Sequence, residues 1–385
     1  MKHCLLRMVG RFAVCGLLAL TIVACTRTVE VTALSTPIPV FSEGDAGYAC
    51  YRIPAIIRAA NGDLIAFAEA RRYGKQDAGD IDLVMRRSSD EGQTWGPITI
   101  IWDDSTHTCG NPAPVVVGTA GKIVMLTTWN RGEDHERDIE QRTSLDTRRA
   151  FVMHSDDHGH TWSEAREITS IVKDSTWTWY ATGPCHATRK EREPHKGRIV
   201  VPANHKLLDN EGKVGARSQL LYSDDEGATW HLGAISQAGG NESTVAECSD
   251  GSLLLNMRHF ERQDSLRLYA RSLDGGLTWS EQGEWSDLPE PRCQGSMLNL
   301  TKGGAPTSTL LFCNPHHPRK RLNLSFSVSY DNGTSWSHLK TICEGPSAYS
   351  DIVQLDDDRI GILFENGDSK MIYRRISFAI ATLKR

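Results

Sequence analysis

The sequence has no Cys-x-x-Cys pair, no His-Glu-x-x-His segment, no phosphate-binding glycine loop and no glycine-rich dinucleotide fingerprint. It therefore implies neither a metal nor a nucleotide, and no cofactor is expected. A strong charge of one sign is also missing. Lys and Arg number 43 against 48 Asp and Glu, a net charge of −5 over 385 residues. That balance excludes both a disordered polyelectrolyte and a basic nucleic-acid binder. There is no amphipathic helix of useful length, which argues against alternating βα units. Nor is any apolar run long enough to cross a bilayer, which needs ~20 residues. The longest, Phe12 to Ala24, is broken only by Cys15 and Thr21.

That short run follows Lys2, Arg7 and Arg11 and ends Ile22-Val23-Ala24-Cys25. A basic start, a short apolar stretch and a small residue before the cut describe a secretory leader. The ending resembles a bacterial lipobox, with residues 1–24 removed and Cys25 lipidated. Residues 25–37 are then expected to be a tether and 38–385 a single catalytic domain. The chain should be exported, as a periplasmic or cell-surface lipoprotein or else secreted, touching membrane only through its lipid. A monomer is expected. Beyond the leader, cysteines stand at 50, 109, 185, 248, 293, 313 and 343, neighbours at least 20 positions apart. An odd set with this spacing reads as buried free thiols rather than staples.

Abundant turn formers, 33 Gly and 15 Pro, accompany ten Trp. One octet, Ser-x-Asp-x-Gly-x-Thr-Trp, recurs as Ser88 to Trp95, Ser155 to Trp162, Ser223 to Trp230, Ser272 to Trp279 and, with Ser335 for Thr, Ser329 to Trp336. Its Asp accepts bonds from amides further on, and its Gly permits a positive φ that reverses the chain. Each octet follows an apolar or alternating run, such as Ile81 to Met85 or Leu322 to Val328, so each reads as a hairpin tip with a packing Trp. His158 and His160 sit inside such a tip and read as turn residues. The octets start 67, 68, 49 and 57 residues apart. A unit of about 60 residues holding four short strands matches a propeller blade, and the mature length accommodates six. The expected fold is all-β, a six-bladed β-propeller; a pair of β-sandwiches would not demand one recurrent hairpin at blade-sized intervals.

Tyr51-Arg52-Ile53-Pro54 precedes an apolar run, Arg258 ends the strand Leu253 to Met257, and Arg321 precedes Leu322 to Phe326. Arginines among strand formers are costly to bury unless they meet an anion. Three guanidinia from separate blades can converge on the axis and hold a carboxylate through paired N–H bonds.

The octets resemble the Asp boxes of sialidases and of several unrelated propellers. Together with Tyr-Arg-Ile-Pro near the start, they make the chain resemble a bacterial exo-α-sialidase from about Val40 to the C-terminus. That resemblance implies an arginine triad of Arg52, Arg258 and Arg321 on the sialic acid carboxylate, Arg319 being close to the last. Glu365 is implied as the partner that orients Arg52, and Arg71, with Arg72 adjacent, as the arginine on the sugar's hydroxyl side. Asp77 is implied as acid/base, with Asp80 second; Tyr349 as nucleophile; Glu242 as the base that activates it. Glu247 reads as structural. The implied partners are sialylated glycans, glycoproteins or glycolipids, and the implied reaction is retaining hydrolysis through a tyrosyl intermediate. Transfer or anhydro-product formation, and a non-catalytic sialic-acid-binding propeller, are the competing readings. Trp177, Trp179 and Tyr180 form an aromatic segment that can wall a pocket or pack a blade.

Overall fold

The computed structural model describes residues 28–260, 266–368 and 371–385. The leader and Cys25 lie outside the described residues. Strands pair with their neighbours in chain order, in four-stranded antiparallel groups. Cys50–Arg58, Leu64–Arg71, Ile81–Ser88 and Thr99–Trp102 make the first. Thr108–Val117, Lys122–Asn130, Arg149–Ser155 and Arg166–Glu167 make the second. The third is Trp177–Thr182, Ile199–Leu208, Val214–Ser223 and His231–Ile235; the fourth is Gly240–Glu247, Leu253–His259, Leu266–Ser272 and Glu281–Pro289. In the fifth, Ser296–Lys302, Ala305–Pro315 and Leu322–Ser329 meet the first half of the long strand Ser337–Gln354. Its second half opens the last group with Arg359–Asn366 and Arg375–Lys384.

This is a propeller-type fold, and burial follows it. Cys50–Arg58 and Leu64–Arg71 are buried almost throughout, whereas outer strands such as Glu281–Pro289 are largely exposed. Among the described residues, helix is confined to Glu136–Glu140, Thr169–Val172 and one 3-10 turn at Asp45–Gly47.

Each octet is a closed hydrogen-bond circuit. In the first, Ser88 Oγ bonds Asp90 Oδ1 (2.7 Å) and accepts the Gly92 amide (2.8 Å). Asp90 in turn accepts the amide and hydroxyl of Thr94 at 2.9 and 2.6 Å. The other four repeat these contacts, Ser335 replacing Thr in the last. The fourth position also takes a positive φ, at Glu91, His158, Glu226, Gly275 and Asn332. Asp and the small hydroxyl side chains bear the turn, while the Trp reaches the preceding group. Trp162 stands edge-on to Phe67, and Trp95 to Phe378 of the last group. A Cβ on Gly92 would lie 2.2 Å from Phe378, so the first octet seats directly against the final strand.

One expectation is corrected here. The segment assigned to a tether, 25–37, contains the strand Glu30–Leu34, which pairs with Arg375–Lys384. Its Val31 and Leu34 pack on an apolar cluster of the last two groups. Ile38–Ser42 then continues along the same strand. The seven cysteines are free, six buried and Cys343 half-buried. Burial pushes the Cys293 and Cys313 thiols up to about 12, which makes them inert at neutral pH.

Candidate active site

Five of the strands nearest the axis share one irregularity. Register slips between Arg52 and Ala55, Gly110 and Ala113, Trp177 and Tyr180, Gly240 and Ser243, and Ser347 and Ser350. Bulges bend a strand and re-aim its side chains. Here they turn Arg52, Asn111, Trp179, Glu242 and Tyr349 toward one cavity of about 560 Å³. Ile53 pays for the first bulge with φ 60°, a strained value for a β-branched residue. Its amide, freed from the ladder, bonds Glu365 Oε1 at 3.0 Å.

Glu365 is fully buried and joins two elements. It accepts Arg52 Nε at 3.1 Å and Nη2 at 3.2 Å, and also the Tyr349 amide at 3.1 Å. Burial opposes the Arg52 charge, but Glu365 more than restores it, holding this guanidinium well above its ordinary value. Tyr349 Oη donates to Glu242 Oε1 at 2.5 Å, and Arg258 Nη1 bridges the pair, 2.6 Å from Glu242 Oε2 and 3.2 Å from the phenol oxygen. The guanidinium carbons of Arg52 and Arg321 lie 4.9 and 5.2 Å from the Tyr349 ring centroid. Burial raises the Tyr349 phenol well above its ordinary value, with Glu242 adding to the rise and the arginines opposing it. The resting phenol is neutral.

Across the cavity Arg71 is clamped by Glu69, whose Oε2 accepts its Nε at 3.1 Å and its Nη2 at 2.5 Å. Glu69 Oε1 takes the Asn111 amide at 2.9 Å, and a Cβ on Gly110 would come within 2.2 Å of that oxygen. Asp77 lies 2.8 Å from Arg71 Nη1 and 3.6 Å from Arg52 Nη1, with its side chain 56% exposed. Burial works to raise its carboxyl, but the two arginines prevail and hold it below the usual carboxylate range.

Thus Arg52, Arg71, Asp77, Glu242, Arg258, Arg321 and Tyr349 all line one cavity, with Glu365 directly behind. The alternatives fall elsewhere. Arg72 stacks on Tyr48 and pairs with Asp80 and Asp82, and neither Asp80 nor Arg319 lines the cavity. Glu247 is buried against Lys190 at 2.7 Å. The aromatic segment divides: Trp179 lines the cavity, Tyr180 is core, and Trp177 stacks on His205 at 3.5 Å.

Several lining residues carried no sequence signal. Tyr373 accepts Arg321 Nη1 at 2.8 Å and lies 4.0 Å beneath the Arg52 guanidinium. Arg148, almost fully buried, bonds the neutral side chains of Asn111, Thr128 and Asn130 and stacks on Trp179. Lys206 is held by Glu136 and Glu140 of the short helix. Glu69 did carry a signal: two positions before Arg71, it shares that residue's face of the strand.

Eight basic side chains (Arg52, Arg71, Lys75, Arg148, Lys206, Arg258, Arg292 and Arg321) line the cavity against four acidic ones (Glu69, Asp77, Glu136 and Glu242). A chain of net charge −5 therefore concentrates positive potential in one concavity, a trap for an anion. Outside it, Cys185, His186 and Asp351 bring donor atoms within 4.8 Å of one another. The Asp351 oxygens are already engaged by the amides of Ile56, His186 and Ile352 and by His186 Nδ1. That chemistry suits a buried strut between groups better than a metal centre.

Residues 62–363 match the family profile of a BNR repeat-like domain. The exo-alpha-sialidase of Aspergillus fumigatus is 30% identical over 361 residues, covering 86% of this chain and 83% of that protein. Sialidase-2 of Mus musculus is 30% identical, covering 88% and 94%. The sialidase of Micromonospora viridifaciens is 29% identical, but the chain spans only 51% of its length. Among solved structures, the Hadza microbial sialidase Hz136 superposes with a TM-score of 0.79 at 28% identity, covering 90% of this chain and 68% of that one. The intramolecular trans-sialidase of Ruminococcus gnavus, at 19% identity and TM-score 0.73, shares the fold, covering 89% and 96%. With its octets, its propeller-type sheet order and relatives along most of its length, the chain belongs to the sialidase family of glycoside hydrolases.

Proposed function

We propose that the chain is an exo-α-sialidase that releases terminal sialic acid from sialylated glycans, glycoproteins or glycolipids, with retention, through a tyrosyl intermediate. One observation carries this reading: Tyr349 donates to Glu242 at 2.5 Å while Arg52, Arg258 and Arg321 surround the same phenol.

The anomeric carbon of a sialic acid bears a carboxylate, so an anionic nucleophile would approach against like charge. A phenol avoids that repulsion, which is why sialidases depart from the two-carboxylate rule of glycosidases. The three arginines take the substrate carboxylate, with Arg52 held in place by Glu365. As Tyr349 Oη attacks, its proton passes to Glu242, and Arg258, bonded to both, steadies the negative charge as it moves from the carboxylate to the phenol oxygen. Asp77 protonates the departing oxygen. In the empty cavity its pairing with Arg71 and Arg52 favours the carboxylate. A substrate carboxylate on Arg52 offsets part of that pull and raises the proton affinity of Asp77 where donation is needed. In the second step Asp77 deprotonates water, the water oxygen bonds the anomeric carbon, and Tyr349 leaves and recovers its proton from Glu242. Two inversions give retention.

The test separates leaving groups. Tyr349→Phe should lower turnover of both an aryl sialoside and sialyllactose by several orders of magnitude. Asp77→Ala should cost about 10²–10⁴-fold on sialyllactose, whose leaving group needs a proton, and far less on the aryl sialoside. Equal losses on both substrates would remove Asp77 from the acid role, and wild-type rates in Tyr349→Phe would overturn the nucleophile. NMR of the first-formed product distinguishes hydrolysis with retention from transfer or an anhydro sugar.

A further inference from the structure

A second concavity, of about 600 Å³, opens between the first and second strand groups. Strand alternation separates it from the catalytic cavity. Thr128, Asn130 and Arg148 bond one another on the cavity side, so Trp129 and Arg149, paired in register, project the other way. Four half-buried rings line this groove: Trp102 from the first group and Trp129, Phe151 and Trp162 from the second. Trp102 and Phe151 lie 4.9 Å apart, and Trp129 is locked by its indole N–H donating to Asp104 Oδ2 at 2.6 Å.

Aromatic walls with a few fixed polar groups are the ordinary make-up of a small-ligand site. The polar groups here are the exposed carboxylates of Asp103, Asp104 and Glu164, the Ser163 hydroxyl and one guanidinium, Arg149. Three acids against one base give the groove the opposite sign to the catalytic cavity, so a sialic acid is repelled from it. A neutral pyranose meets both features: its C–H face lies on an indole, and its hydroxyls donate to the carboxylates. We infer that this groove binds a neutral hexopyranose of the glycan chain, independently of the reaction in the catalytic cavity.

Titration of the full chain with methyl β-galactopyranoside, followed by tryptophan fluorescence and ligand-observed NMR, tests this. Saturable millimolar binding, undiminished by excess free sialic acid, is expected. Trp102→Ala should weaken it at least tenfold and Asp104→Ala severalfold, with aryl-sialoside turnover unchanged in both. Asp104 is exposed, so its variant stays informative if Trp102→Ala does not fold. Loss of aryl-sialoside turnover in the wild type would sink the catalytic reading and leave this one standing. Absence of saturable binding in the folded protein, competition by sialic acid, or concentration-dependent self-association abolished by Trp102→Ala would each overturn it.

Discussion

Tyr373 supports two of the three arginines at once, accepting a bond from Arg321 and lying flat beneath Arg52. Tyr373→Phe keeps the stacking surface and removes the acceptor. The expected outcome is a roughly fivefold rise in KM for a sialoside, the equivalent of about 1 kcal/mol for one hydrogen bond, with kcat and melting temperature little changed. Steady-state kinetics on an aryl sialoside checks it, and a fall in kcat at constant KM would place Tyr373 in the chemical step. No spacing or motif marks this tyrosine in the sequence, because its role exists only once the last strand group stands beside the first. Arg148 is opaque for the same reason. It is a buried cation held by neutral groups, and burial draws it below its ordinary value. Asp77 and Asp80 were separable only by position in the loop, and the structure adds the physical difference: Asp77 reaches Arg71 and Arg52, whereas Asp80 reaches Arg72.

At the scale of elements, the octet is the most readable feature because its bonds are nearly all internal. Four residues that satisfy one another form the same turn wherever they occur, so sequence suffices to place it. The positive φ at the fourth position is less readable, since Glu91 and Glu226 have no special liking for it. The axial bulges leave no simple mark at all: they interrupt strands whose apolar pattern continues across them. Hydrogen bonds from the hydroxyl and amide of Thr94 hold Asp90 down at about 2, and those of Thr229 do the same for Asp225. A carboxyl depressed on folding contributes stability that is complete above its unfolded value near ~4 and lost as pH falls through its folded one. The contribution of these two turns should therefore hold steady from neutral pH to about 5 and be lost between about 4 and 2, as thermal melts of the wild type and of Asp90→Asn compared across that range would show. Gly92→Ala tests packing rather than charge. A methyl group there meets Phe378 and has to occupy a left-handed backbone conformation, φ 85°, that an L side chain disfavours, costing roughly 2–4 kcal/mol. A lower melting temperature with normal kcat per folded molecule is the expected result.

The whole molecule has two distinct ends. Arg52, Glu242 and Tyr349 stand near the starts of axial strands, whereas every octet follows the end of a third strand, at the opposite face. The strand Arg375–Lys384 runs from one to the other, with Ile376 beside Glu365 and Thr382 beside Arg359, which pairs with Glu91 of the first octet. Glu30 is registered with Lys384, so the chain enters the body at the octet face, far from the cavity. The sequence could not show this, because Glu30–Leu34 is fixed by a partner some 350 positions away. Processing before Cys25, as the ending Ile22-Val23-Ala24-Cys25 implies, would leave five residues from the lipidated cysteine to Glu30. That reach is at most about 17 Å when extended. A lipid there would hold the octet face against the bilayer and aim the cationic cavity away from it. The expected outcome is membrane-bound protein whose mature N-terminus carries a lipid mass; whether intact cells cleave a sialylated polymer too large to enter separates a cell-surface from a periplasmic position. Cys25→Ser should free the chain from the membrane without altering its rate on an aryl sialoside. An unmodified N-terminus on soluble wild-type protein would remove the anchor and, with it, any fixed orientation of the cavity relative to a bilayer.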